Sequence, residues 1–316
     1  MKTLNELIST KMQVCEQEGR NGTKNNYMTL LHYIEKNYGM VPMKHVNVGL
    51  VKRMKKQMTQ EGKSPSTISN YFALLSCIFN YAVYAGYAKA EDYPFQRKSY
   101  ELDKVKRPKM QKRTDWWLKK EQLRKMYDEW EKATNKSDKR CVGLFLASYL
   151  CNGANLADIL SLRYDSNYMK NDGKVFMFVR KKTQGRSDAC VTIPIIPELK
   201  TIIEEIGDKE KPNGLVFGSF ISNIKPSDGR PYDLKVTYWN AYASKVLRRF
   251  CGKIGISENV SMSWARHSYA TILNHEGCNY SSVELALGHV LPGVSSHYIG
   301  KATIESLFEM NSKLLS

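Results

Sequence analysis

The chain contains no run of about 18 uncharged apolar residues, so nothing in it reads as a membrane-spanning helix. Its first twenty residues mix acidic and basic groups where a signal peptide needs an apolar stretch. A soluble cytoplasmic protein is the expectation. Cysteines stand at 15, 77, 141, 151, 190, 251 and 278, an odd number widely scattered, with no Cys-x-x-Cys pair and no interleaved histidine. That excludes a zinc module and a disulfide framework, and leaves reduced, mostly buried thiols. No internal repeat or low-complexity tract is present, which sets solenoid architectures aside.

What the chain has in excess is positive charge. Across 316 residues, 48 Lys and Arg face 31 Asp and Glu, a formal net charge of +17. Residues 1–110 hold 18 Lys and Arg against 9 Asp and Glu, and the remaining residues are basic too. Charge spread over both halves suits two domains gripping one polyanion better than a neutral body with a basic tail. An anionic membrane surface is the weaker reading, because no segment joins a basic face to the bulky apolar face that an interfacial helix needs. Apolar content of 42% over this length is enough for a core in each of two domains.

Along the chain the pattern is mainly helical. Leu30, Leu31 and Ile34 recur at three- and four-residue spacing, and Leu50–Met58 forms a helix carrying Lys52, Arg53, Lys55 and Lys56. Gly62 breaks it; Ser64 and Pro65 open the next helix, whose apolar face is Ile68, Phe72, Leu75, Phe79 and Ala82. Between Arg97 and Arg113 the apolar period disappears, and Lys104, Lys106, Arg107, Lys109, Lys112 and Arg113 crowd around Pro108. This stretch reads as an interdomain linker, its charges placed to touch phosphates. Beyond it, Lys119–Ala133, Lys139–Cys151 and Asn155–Leu162 read as helices. Lys174–Arg180 and Ala189–Ile195 read as a β-hairpin around Gly185.

Four of the six histidines fall between Ser263 and Tyr298. Arg266-His267, then Leu287-Gly288-His289, then Tyr298 nine residues further on form an ordered series. In order and spacing this series resembles the catalytic domain of the tyrosine recombinases, the phage integrase family. Upstream, Gly153 and Asp158 match the glycine and the acidic position of the family's Thr-Gly-x-Arg-x-x-Glu-Leu segment, and Lys182, before Thr183, matches its hairpin lysine. The first domain, with its basic helix and the Ser64–Ile68 helix start, resembles the family's SAM-like core DNA-binding domain. Two positions depart from the pattern: Asn155 stands where the family has its first arginine, and Ser263 where it has a histidine.

The resemblance implies an all-helical N-terminal domain (1–105), a basic linker (106–115) and a catalytic domain (116–316) of mixed α+β type with a small antiparallel sheet. The two domains would form a C-shaped clamp on DNA. Tyr298 would be the nucleophile, attacking the scissile phosphate to give a 3′-phosphotyrosine, with Arg266 and His289 stabilising the charge and Lys182 protonating the departing 5′ oxygen. Arg180, Lys181 and Arg186 crowd the same turn as Lys182. Asp158 and His267 would support the site, and Arg140 and Arg163 are candidates to replace the missing arginine. Lys52, Arg53, Lys55, Lys56, Lys106, Arg107 and Lys109 would contact DNA, with base readout from the Leu50–Met58 and Ser66–Tyr81 helices. No metal or cofactor is implied.

Double-stranded DNA with short inverted-repeat core sites is the expected partner. A homotetramer on that DNA is expected too, because in the family a tail such as Lys301–Leu315 packs on a neighbouring protomer. The chain opens directly into the core-binding region, which suits a simple recombinase without an arm-binding domain. Integration, excision and inversion share one chemistry and are not separated by sequence. The rivals are a catalytically silent DNA-binding protein of the same fold, made plausible by Asn155 and Ser263, and a type IB topoisomerase-like enzyme.

Overall fold

The computed structural model describes residues 2–110, 114–180, 190–289 and 302–316. The chain divides into two compact units, Met1–Arg113 and Thr114–Ser316. Lys182 and Tyr298 lie outside the described residues.

The first unit is built on α1 (Leu4–Gln17), α2 (Asn21–Tyr38), α3 (Val48–Gln60) and α4 (Pro65–Tyr84). Helix α1 escapes the apolar-period reading, yet its start is written in the sequence. The Thr3 hydroxyl accepts from the Glu6 amide at 3.2 Å, and the Glu6 carboxylate accepts from the Thr3 amide at 2.7 Å. Helix α4 starts where Ser64 and Pro65 put it, with the Ser64 hydroxyl accepting from the Thr67 amide at 3.1 Å. Its buried face, Ile68, Phe72, Leu75, Phe79 and Ala82, joins Leu30, Ile34, Val51 and Met54 in one core.

The charged segment after α4 is not a free linker from Arg97 onward. Val105 is 3% exposed, bridges to Phe95, and donates its amide to the Pro94 carbonyl at 2.8 Å. Dense lysine around a single valine hides this apolar anchor from any periodicity count.

The second unit comprises α5 (Lys120–Glu131), α6 (Lys136–Leu150), α7 (Leu156–Ile159), α8 (Ser166–Lys170), β1 (Val175–Val179), β2 (Cys190–Pro194), α9 (Pro197–Ile206), α10 (Arg230–Lys253), α11 (Trp264–His275), α12 (Tyr280–Ala286) and α13 (Ile304–Ser312). Residues Cys141 to Leu150 of α6 are buried all round. A helix apolar on every side is a core helix, and α5, α9, α10 and α11 pack around it. Each fully buried Leu or Phe on it contributes roughly 1.5–3 kcal/mol of transfer energy. Strands β1 and β2 pair antiparallel with Phe176 opposite Ile193 and Phe178 opposite Val191, a small sheet in a mainly helical chain.

Helix α13 and its end dock on their own unit. Leu307, Met310, Leu314 and Leu315 are buried there, and the Tyr149 hydroxyl donates to the Leu314 carbonyl at 2.8 Å. The resemblance leads one to expect the tail on a neighbouring protomer. Here these side chains are covered by the tail's own unit, which takes their apolar surface out of water.

Candidate active site

Three chain segments converge at the end of α6. After Cys151 the chain reverses through two consecutive left-handed residues, Asn152 (φ 53°) and Gly153 (φ 60°). A Cβ on Gly153 would stand 2.8 Å from the Arg266 Cα, so the glycine serves both the turn and the close approach of α11. Arg266 lies in the first turn of α11 and donates Nη1 to the Gly153 carbonyl at 3.1 Å.

Asn152 holds this reversal in place. Its buried amide donates to the Thr192 carbonyl at 2.9 Å and faces the Ala286 carbonyl at 3.4 Å. Its carbonyl oxygen accepts from Asn311 on α13 at 2.9 Å. Asn311 also accepts from the buried Tyr269 hydroxyl at 3.0 Å and donates to the Leu150 carbonyl at 3.3 Å. A connected polar network of this kind fixes one arrangement because every alternative leaves a buried group unpaired.

The third segment is the end of α12. Gly288 (φ 70°) closes the helix, with its amide on the Leu285 carbonyl and the His289 amide on the Glu284 carbonyl, both at 2.9 Å. A Cβ here would meet Val191 at 2.5 Å and the Arg180 Cδ at 2.7 Å. The Leu-Gly-His motif thus needs glycine for conformation and for space.

The turn delivers His289 to Arg266. The Arg266 Nη2 donates to the Leu287 carbonyl at 2.8 Å and lies 2.8 Å from the His289 Nε2. Guanidinium has only donors, so Nε2 accepts, and Nδ1 carries the proton that it donates to Glu284 Oε2 at 2.7 Å. The His289 side chain remains 42% exposed, which leaves it open to an incoming group. Burial pushes the Arg266 pKa down to about 10, with the nearby Arg180 charge adding to the shift and Asp158 and Glu284 opposing it. Arg266 is still charged at neutral pH.

Asp158 is 2% exposed and lies with Oδ2 4.0 Å from the Arg180 Nε. Asn155 is the exposed N-cap residue of α7, and its side chain makes no capping hydrogen bond. Ser263 is exposed at the start of α11, its hydroxyl 3.1 Å from that of Ser261. His267 stands edge-on to Trp116, which stacks on Trp264.

The two substitute cations named from the sequence are placed elsewhere. Arg140 lies over the Phe220 ring at 3.9 Å, in the first turns of α6. That is about 15 Å along the helix from its end at Leu150, at 1.5 Å per residue. Arg163 donates to the Asn213 carbonyl at 2.7 Å. Sequence reasoning missed Glu284 and the placement of Arg180. An acid in the last turn of a helix opposes the helix dipole, which is the one signal that marked Glu284.

In the first unit, Lys52, Lys55, Lys56, Lys104 and Lys106 line an open groove, with Lys55 donating to the Lys106 carbonyl at 3.1 Å. Lys106 and Arg107 also border a second recess with Arg97, Lys98 and Lys104. Arg53 and Lys109 are exposed outside both.

The model of the phage integrase SAM-like domain matches residues 3–102, and that of the phage integrase family matches residues 116–303. The chain belongs to this family, the tyrosine recombinases. It is 25% identical over 294 residues to a tyrosine recombinase of Thermosipho africanus (strain TCF52B), covering 92% of this chain and 91% of that protein. It is 23% identical over 240 residues to the tyrosine recombinase XerD of Listeria monocytogenes, covering 73% and 70%. Among solved structures it shares the fold of the Tn1549 transposon integrase in complex with transposon right end DNA, with a TM-score of 0.63, 15% identity and 100% of both chains covered. It also resembles a lambda integrase dimer bound to a core site, with a TM-score of 0.61, 15% identity, and 96% and 99% coverage. Among the described residues no helix is long and apolar enough to cross a membrane, and no cluster of His, Cys, Asp and Glu would hold a metal.

Proposed function

We propose that the chain is a site-specific DNA recombinase that breaks and rejoins duplex DNA through a covalent bond to Tyr298, without metal or ATP. The observation that carries this reading is the Arg266–His289–Glu284 relay at the reversed Gly153 loop. It places a half-buried, charged fork beside an imidazole whose far nitrogen is already held.

Attack on a phosphodiester builds negative charge on its nonbridging oxygens, and donors fixed in advance stabilise that charge without reorganising. Arg266 is fixed by the carbonyls of Gly153 and Leu287. His289 would stand beside the phosphate next to Arg266, with Glu284 accepting from Nδ1 to hold the ring's orientation. Tyr298 is assigned as nucleophile by its sequence spacing from His289, and Lys182 as the acid for the 5′ oxygen by its sequence match, before Thr183, to the family's lysine. The energy of the broken bond is kept in the phosphotyrosine, which a second strand's 5′ hydroxyl then attacks.

The basic groove of the first unit supports phosphate contact through Lys52, Lys55, Lys56 and Lys106, with Arg107 on the recess that shares Lys106 and with Arg53 and Lys109 exposed elsewhere on the unit. Duplex DNA with short inverted core sites is the proposed substrate. Exchange between two such sites takes four protomers, and a lambda integrase of the same fold is a tetramer on a Holliday junction. The decisive assay is exchange between two labelled duplexes carrying the cognate site. Recombinant products support the reading. Relaxation of supercoils without exchange would make the chain topoisomerase-like, and tight binding with neither would make it a silent DNA-binding protein.

A further inference from the structure

We propose that Arg180 supplies the second guanidinium of the phosphate site, taking the electrostatic role that Asn155 lacks. This rests on the recombinase reading above.

Arg180 follows β1 directly and is 6% exposed. Its side chain crosses from the hairpin to the end of α12, where Nη1 faces the Gly288 carbonyl at 3.5 Å. Arg266 and Arg180 therefore hold successive carbonyls, Leu287 and Gly288, of the turn that presents His289. Gly288 makes room for this, because a side chain there would collide with the Arg180 methylenes.

Asp158 faces Arg180 across 4.0 Å with side chains 3% and 8% exposed. It stands one helical turn after Asn155 on α7, so the carboxylate that would orient a cation at position 155 faces one arriving from β1. Charge at the site then comes from the hairpin, not from α7.

The half-buried Arg266 and the buried Arg180 repel, and the lowered Arg266 pKa reflects burial first and the Arg180 charge second. An arrangement that costs stability in the free protein is retained where an anion relieves it. A phosphodiester between the two arginines does so. Arg140 and Arg163, held at Phe220 and at the Asn213 carbonyl, do not reach this turn.

The test is the rate of covalent adduct formation on nicked suicide duplexes whose scissile linkage is either a natural phosphodiester or a methylphosphonate, which lacks the negative charge. Arg180→Gln is expected to slow adduct formation about 10²- to 10³-fold on the phosphodiester, the usual cost of one missing preorganised donor. On the methylphosphonate it should run within a few fold of wild type, and Asn155→Arg added to Arg180→Gln should recover part of the loss. Equal slowing on both substrates with no recovery would assign Arg180 a structural role and overturn the proposal, as would wild-type rates. Arg180→Lys, which keeps a cation facing Asp158, controls for folding: it should be intermediate on the phosphodiester. A wild type that forms no adduct on any duplex would sink the recombinase reading itself, and this inference with it.

Discussion

Replacing Asn311 by alanine tests whether the tail helix is built into the site. The side chain is fully buried and makes three hydrogen bonds. Alanine would strand the Tyr269 hydroxyl, the Leu150 carbonyl and the Asn152 carbonyl oxygen in a region water does not reach. A buried polar group left unpaired costs about 1–3 kcal/mol. Taking the low end for each gives a loss of roughly 3 kcal/mol for the second unit. For a unit of this size 1 kcal/mol lowers Tm by about 2–4 °C, so the expected drop is roughly 6–12 °C, read by calorimetry. Asn152 loses one of its anchors in the same variant, and Gly153, which holds Arg266, follows it in the chain. Adduct formation at a temperature where the variant is folded should therefore also slow. Ser312→Ala, next door and exposed, is the control and should change stability by less than about 0.5 kcal/mol. A loss below about 1 kcal/mol for Asn311→Ala, with wild-type adduct rates, would refute the reasoning that the tail and the loop form one unit.

Gly153→Ala should slow adduct formation on the order of 100-fold with DNA affinity kept, because a Cβ 2.8 Å from the Arg266 Cα displaces the guanidinium and small misplacements carry costs of that size. Glu284→Ala should lower the adduct rate and Glu284→Gln should recover much of it, since the amide oxygen still accepts from the His289 Nδ1; equal rates in both variants would remove Glu284 from the relay. Changing Lys52, Lys55 and Lys56 together to Gln should reduce the slope of log affinity against log salt by about 3, one for each phosphate no longer neutralised, measured by fluorescence anisotropy.

Much of the site was legible because Arg266, Gly288 and His289 sit on one short helix–turn–helix stretch whose spacing is itself the geometry. Gly153 was legible as a motif position, though its contact with Arg266 was not. Glu284 was hidden because it reaches His289 only across the αL turn at Gly288, which brings residues five apart into contact. Arg180 was seen only as a neighbour of Lys182; its direction depends on how the hairpin lies against α12, a tertiary fact. Arg140 and Arg163 were reasonable by sequence proximity and are placed elsewhere by packing, over an aromatic ring and on a loop carbonyl. The tail's apolar residues were visible, but sequence does not say which surface buries them. Helix α1 was missed for lack of a clean apolar period, although its capping box was present.

The most direct test of the central claim is to trap the wild-type protein on a nicked suicide duplex, digest the denatured complex with trypsin, and find by mass spectrometry which residue carries the nucleotide. A nucleotide on Tyr298, absent from Tyr298→Phe, is the predicted result. A nucleotide on another residue, or an adduct that survives Tyr298→Phe, would contradict it.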